Sequence, residues 1–159
     1  MRHWFVINTK PRGESRVESI LGQAGFVVYN PRLLRNKKIR PLFPGYEFVV
    51  FDYPDQYRLV RYARGVKSVL GVREEPVPVP DELIREIRSR EKDGLVVLGE
   101  LDAGAPEVGD EIEVIDGPLK GLRGIFQRNL GDRDRVAILL SYVSYQAQLK
   151  VARSQLRKI

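Results

Sequence analysis

PLFPGYEFVVF, residues 41–51, is the stretch whose reading decides the fold. Its second half, GYEFVVF (45–51), reads as a strand. Tyr46 and Phe48 stand two apart and project from one face; Val49 and Phe51 project from the other. One face must pack on helices. The opposite face either presents its aromatics to a partner, where exposed rings make good anchors, or is covered by the rest of the chain.

Other elements flank this strand. Trp4 to Ile7 reads as a strand, and Pro11 suits a helix start because a first-turn proline loses no needed hydrogen bond. Val17, Ile20, Leu21 and Ala24 follow at amphipathic spacing, and Gly25 supplies the stop. Phe26 to Tyr29 is a strand ended by Asn30-Pro31. Pro54 to Tyr62 reads as a helix, Arg64-Gly65 as a turn and Val66 to Val72 as a strand. Val77 to Val79 is a short extended piece. Pro80-Asp81-Glu82 opens a third helix, with acids at the positive end of its dipole and Leu83, Ile84 and Ile87 on one side. These alternations predict an α/β sandwich with one sheet over residues 1–92. Residues 93–107, DGLVVLGELDAGAPE, read as a linker, with Leu95 to Leu98 as a docking segment.

Beyond the linker, residues 108–159 form a second unit. In GDEIEVIDGPLKGLRGIF (109–126), Ile112 and Val114 alternate with Glu111 and Glu113, the period of a half-buried strand. Asp116-Gly117-Pro118 breaks that period, and a second run bent at Gly124 follows. The pattern suits a small, tightly curled barrel and resembles the KOW motif, an SH3-like barrel of transcription and translation factors. An ordinary hairpin in another barrel is the alternative.

From Arg135 to Ile159 there is no Gly, Pro, Asn or Asp to make a turn. At period 2, Val136, Ile138, Leu140 and Tyr142 form one strand face; Ala147, Leu149 and Val151 form another. At helical spacing, Ile138, Tyr142, Tyr145, Leu149, Ala152 and Leu156 form an unbroken stripe. Local preference does not choose between the two. The tail is therefore expected either as part of a barrel or as a helical hairpin docked on the first domain. Pairs of packings that differ by a few kcal/mol are rare.

The chain has 159 residues, 27 Lys/Arg against 21 Asp/Glu, no cysteine and one histidine, His3. These counts exclude disulfides, thiolate metal sites and cysteine nucleophiles, and leave Ser-His or paired-His catalysis without its parts. With no phosphate-loop pattern either, no catalytic or metal-binding residue and no cofactor is expected. Neither a membrane-length apolar run nor a signal-peptide core is present, so a cytoplasmic protein and a monomer are the expectations. Residues 1–79 carry 14 Lys/Arg against 7 Asp/Glu, residues 80–108 carry 4 against 8, and residues 109–159 carry 9 against 6. A basic block, an acidic joint and a mildly basic tail suggest two domains and a polyanionic partner for the first. The acid-free run Arg32, Arg35, Lys37, Lys38 and Arg40 is either a nucleic-acid or polymerase contact or a solvated hairpin tip.

Taken together, these stretches resemble the NusG family of transcription elongation factors over essentially the whole chain. Trp4-Phe5-Val6 with Thr9-Lys10-Pro11-Arg12 is similar to the family's first strand and helix start. PLFPGYEFV (41–49) is similar to its signature third strand, and Ala63-Arg64-Gly65-Val66 to the turn before its fourth. The match is most like the specialised antiterminator paralogues of the RfaH type, whose end Ser154 to Ile159 also resembles. The fold implied is α+β: a NusG-type α/β sandwich, a linker, and a KOW domain that is an SH3-like barrel or a docked helical hairpin.

The function implied is an antiterminator that binds the clamp helices of bacterial RNA polymerase and the non-template DNA strand, suppressing pausing or termination. The resemblance makes Tyr46 and Phe48 the polymerase-binding aromatics and Lys10, Arg16 and Arg64 the DNA-binding cations; Arg12 joins them by position. It also suggests a small-subunit ribosomal protein as a partner of the barrel. Three departures from the RfaH-type or NusG pattern stand out. Asn8 replaces an aromatic, Gln56-Tyr57-Arg58 stands where a His-Thr-Thr loop would, and Ser141 to Gln146 replaces the barrel turn of housekeeping members. The alternatives are a general NusG-like elongation or termination factor and a ribosome-associated RNA-binding KOW protein.

Overall fold

A computed structural model describes residues 1–98, 125–126 and 130–156, with side chains through residue 150. Two four-stranded sheets and a small hairpin stand where one sheet was expected. The main sheet has the order β2 (Val27–Tyr29), β5 (Tyr46–Asp52), β1 (Arg2–Thr9), β6 (Val66–Val69), and its pairs are antiparallel. β1 and β5 run side by side from Arg2 opposite Asp52 to Asn8 opposite Tyr46.

The alternation read from the sequence divides this sheet cleanly. Phe5, Ile7, Val49 and Phe51 point to one face, where Val17 and Leu21 of α1 (Glu14–Gln23) and Val60 of α2 (Tyr57–Arg61) cover them. Phe5 and Phe51 stack there with ring centroids 4.1 Å apart. Val6 and Phe48 point to the other face, into a second cluster with Leu83, Ile84 and Ile87 of α3 (Asp81–Ser89). Each such fully buried side chain stabilises the fold by about 1.5–3 kcal/mol.

α1 begins at Glu14 rather than at Pro11, which stands in a preceding turn closed by Gly13 N–H donating to Lys10 O at 2.9 Å. α2 is shorter than the expected 54–62. The strand expected over 66–72 breaks at Leu70, whose N–H still bonds Val6 O at 2.8 Å. Past the break, β7 (Gly71–Val72) folds back on β8 (Glu75–Pro76). A Cβ on Gly71 would lie 2.0 Å from Glu75 O, so no side chain fits at that crossing.

The second sheet has the order β4 (Lys38–Pro41), β3 (Arg32–Arg35), β10 (Leu95–Val96), β9 (Glu91–Lys92). Val96 pairs in parallel with Leu33, so ordered structure crosses residue 93, where the linker was expected to begin.

The tail is helical over α4 (Asp132–Leu156). Among its described side chains, through residue 150, those buried are Arg135, Leu139, Tyr142, Val143 and Ala147. Of the stripe read from the sequence, Tyr142 is buried, Ile138 and Leu149 are half-buried, and Tyr145 is exposed. The inward face is thus turned toward Leu139 and Val143, because these side chains enter the same cluster as Phe48. Ile125 and Phe126, assigned to a strand by the barrel pattern, are helical and buried in that cluster. The rest of 109–126, with its glycine turn, lies outside the described residues. No described helix is long and apolar enough to cross a membrane.

Candidate functional site

Phe48 is wholly buried and Tyr46 half-buried. Phe43 meets the Phe48 ring edge-on at 6.1 Å, and Tyr29 stacks on it at 6.2 Å. The same cluster includes Phe126, Leu139, Tyr142 and Val143 from the tail. The aromatic face of β5 therefore belongs to a core completed by α4, and both faces of the strand are covered.

Arg135 anchors the start of α4. Its side chain is fully buried, with Nε donating to Leu42 O at 2.8 Å, Nη1 to Leu130 O at 2.6 Å, and Nη2 paired with Asp132. Leu42 belongs to the segment leading into β5, so this residue joins the helix directly to the aromatic strand's approach. Burial lowers the guanidinium pKa, and the Asp132 carboxylate opposes that shift. Farther along, Lys150 Nζ pairs with Glu75 Oε1 at 2.8 Å, an exposed bridge of small energetic weight. Sequence reasoning missed Arg135; its only signal was a charge placed in an apolar helical register.

The cations Lys10, Arg12, Arg16 and Arg64 are all exposed, and the backbone draws them to one edge. Lys10 N–H donates to Gly65 O at 2.9 Å, which brings the Arg64 turn beside the end of β1. Gly65 has φ +92°, and a Cβ there would lie 2.8 Å from Val17 Cγ2. Glycine thus lets the turn sit against α1 next to Arg16. This edge is distinct from the buried Phe48 side.

Glu47, between the two aromatics in sequence, points to the α1 side of the sheet. It is fully buried, and neither carboxylate oxygen has a hydrogen-bond partner among the described residues. Burial pushes its pKa up to about 9, the Glu18 and Glu14 carboxylates push the same way, and Arg32 partly offsets them. The carboxyl is neutral near pH 7. No group of acidic or imidazole side chains that could hold a metal ion occurs among the described residues.

A family model described as "Transcription termination factor nusG" matches residues 2–88, more than half of the chain. The chain belongs to the NusG family. It is therefore a non-enzymatic transcription factor of the elongation and termination class. A solved structure described as "Domain interaction in Thermotoga maritima NusG" is similar at 24% identity and a TM-score of 0.50, with 76% of each chain covered. At that identity the likeness concerns the fold alone. No match was found among curated proteins. The residues matched by the NusG model contain β5 and the exposed basic edge, but neither the anchor Arg135 nor α4.

Proposed function

We propose that this NusG-family chain is an antiterminator of the RfaH type that binds bacterial RNA polymerase through Tyr46 and Phe48. The observation that carries this reading is the burial of Phe48 in a cluster shared with the tail helix, while the basic edge stays exposed. An aromatic ridge that the tail covers can serve a partner only after the tail leaves. Undocking trades the packing of Leu139, Tyr142 and Val143 for that of the polymerase clamp helices. Lys10, Arg12, Arg16 and Arg64 remain free to follow the phosphates of the non-template strand. Binding shifts the polymerase away from paused states, with no chemistry by this chain.

In this reading the division is a first domain over 1–92, a connecting segment over 93–107 whose start, β10, is held by pairing to Leu33 of the first domain, and a KOW-type domain over 108–159. The released tail adopts the barrel that its second periodicity permits. A small-subunit ribosomal protein is the proposed partner of that barrel, and the cytoplasm its compartment. A general NusG-like elongation or termination role is the second reading; it lacks use for a tail helix covering β5.

The experiment is a polymerase pull-down with three full-length forms. Leu139→Asp, which introduces a charge into the docked interface, is expected to raise polymerase capture over wild type. Adding Tyr46→Ala and Phe48→Ala to that variant is expected to abolish it. Capture that is indifferent to the aromatics would overturn the assignment.

A further inference from the structure

α4 is tied to the first domain near both ends. At its start Arg135 donates to Leu42 O, and farther along Lys150 Nζ pairs with Glu75 Oε1 at 2.8 Å. Midway between these ties stands Tyr142, only 4% exposed, in the same cluster as Phe48, Leu83 and Ile84. Its hydroxyl oxygen is sealed from solvent and has no hydrogen-bond partner among the described residues. Burial raises the pKa of this phenol and the Glu82 carboxylate pushes the same way, so the group keeps its proton and calls for an acceptor. Glu82, at the exposed start of α3, makes no hydrogen bond to it. Tyr29, which packs against the same cluster from β2, donates its hydroxyl proton to Glu91 Oε1 at 2.5 Å. The tyrosine that belongs to the first domain is thus satisfied, and the one that the tail carries into it is not.

We propose that Tyr142 keeps the docked tail poised for release: its unpaired hydroxyl opposes docking, and any state in which α4 leaves the cluster returns that hydroxyl to water. A buried donor left unpaired weighs against burial by about 5–150-fold in an equilibrium, the equivalent of about 1–3 kcal/mol. The ring itself favours docking, because it fills the cluster beside Leu139 and Val143. Only the oxygen opposes it. Phenylalanine at this position keeps the ring and removes the unmet donor, while the Arg135 and Lys150 ties stay as they are. The wild-type hydroxyl therefore holds the released fraction above the level that apolar packing alone would set. A partner for the β5 aromatics then needs less differential affinity to capture the released state. That last consequence rests on the polymerase reading above; the effect on docking does not.

Amide hydrogen exchange is followed on the full chain for wild type, Tyr142→Phe and Tyr145→Phe. Tyr145 is exposed on the same helix, so its hydroxyl reaches water whether or not α4 is docked. Tyr142→Phe is expected to slow exchange over Leu139 to Ala147 by about fivefold or more, and Tyr145→Phe to leave it as in wild type. Polymerase capture by the same three full-length forms is measured in parallel and is expected to fall for Tyr142→Phe alone. Slower exchange with unchanged capture supports the role of the hydroxyl in docking and counts against the polymerase reading instead. Unchanged exchange in Tyr142→Phe overturns the role. Faster exchange does so too, because the hydroxyl would then have an acceptor in solution, with Glu82 the first candidate. Equal slowing by both variants also overturns it, since the cause would be a general effect of removing a phenol oxygen from this helix.

Discussion

Replacing Glu47 by glutamine tests the buried, unpartnered carboxyl between the two aromatics. In the folded chain its pKa is about 9, against an ordinary value of 4.5. Between those values the native state holds a proton that the unfolded chain releases. Stability therefore falls as pH rises through that window, by about 1.4 kcal/mol per pH unit at most. From pH 5.5 to 8.5 the Glu47 contribution amounts to about 4 kcal/mol. For a chain of this size, that corresponds to roughly 8–16 °C in melting midpoint.

Glu47→Gln keeps the shape of the protonated side chain and stays neutral at every pH. Melting curves of wild type and variant, followed by circular dichroism at several pH values, should converge near pH 5 and separate as pH rises, the variant being the more stable. Because Glu47 faces α1 and not the Phe48 side, the helical signal of α4 should be unchanged. Parallel midpoints across the whole range would refute the reasoning, since they would mean that the carboxylate finds solvent or a partner when it ionises.

Gly65→Ala should lower stability by about 1–3 kcal/mol in thermal melts, because φ is positive and the new Cβ meets Val17 at 2.8 Å. Gly22→Ala, in open space on α1, should be neutral or stabilising by up to about 1 kcal/mol in the same melts. Arg135→Met leaves the carbonyls of Leu42 and Leu130 without its donors; amide exchange over Leu139 to Ala147 should then speed by about tenfold or more, and unchanged exchange would remove the anchoring role. Neutralising Lys10, Arg16 and Arg64 to Gln should flatten the salt dependence of single-stranded DNA binding by roughly 0.7 in log–log slope for each phosphate these cations neutralise. An unaltered slope in fluorescence anisotropy would take that edge out of the nucleic-acid interface.

Much of the first domain was legible in the chain. The strand at Trp4 to Ile7 and the shared face of Val49 and Phe51 could be read because successive side chains of a strand point to opposite sides. The stop after α1 and the acidic start of α3 were legible for local reasons, the Gly25 brake and Asp81-Glu82 at a helix N-terminus. The second sheet was not. Its strands β9 and β10 are two residues each, and the parallel pairing of Val96 with Leu33 joins segments more than sixty positions apart. Lys10, Arg12, Arg16 and Arg64 were singled out from the sequence, but the meeting of the Arg64 turn with the end of β1 was not, because it arises from Lys10 N–H bonding Gly65 O across the fold.

The tail marks the boundary between the two kinds of information. Its amino acids specify an apolar segment free of turn residues, and nothing more: period 2 and period 3.6 are both satisfied. The helix is selected by what the first domain offers it. Phe48 and its neighbours provide an apolar bed for Leu139, Tyr142 and Val143, and Leu42 O accepts from the buried Arg135. Those partners lie about ninety residues away in the chain, beyond the reach of any local pattern.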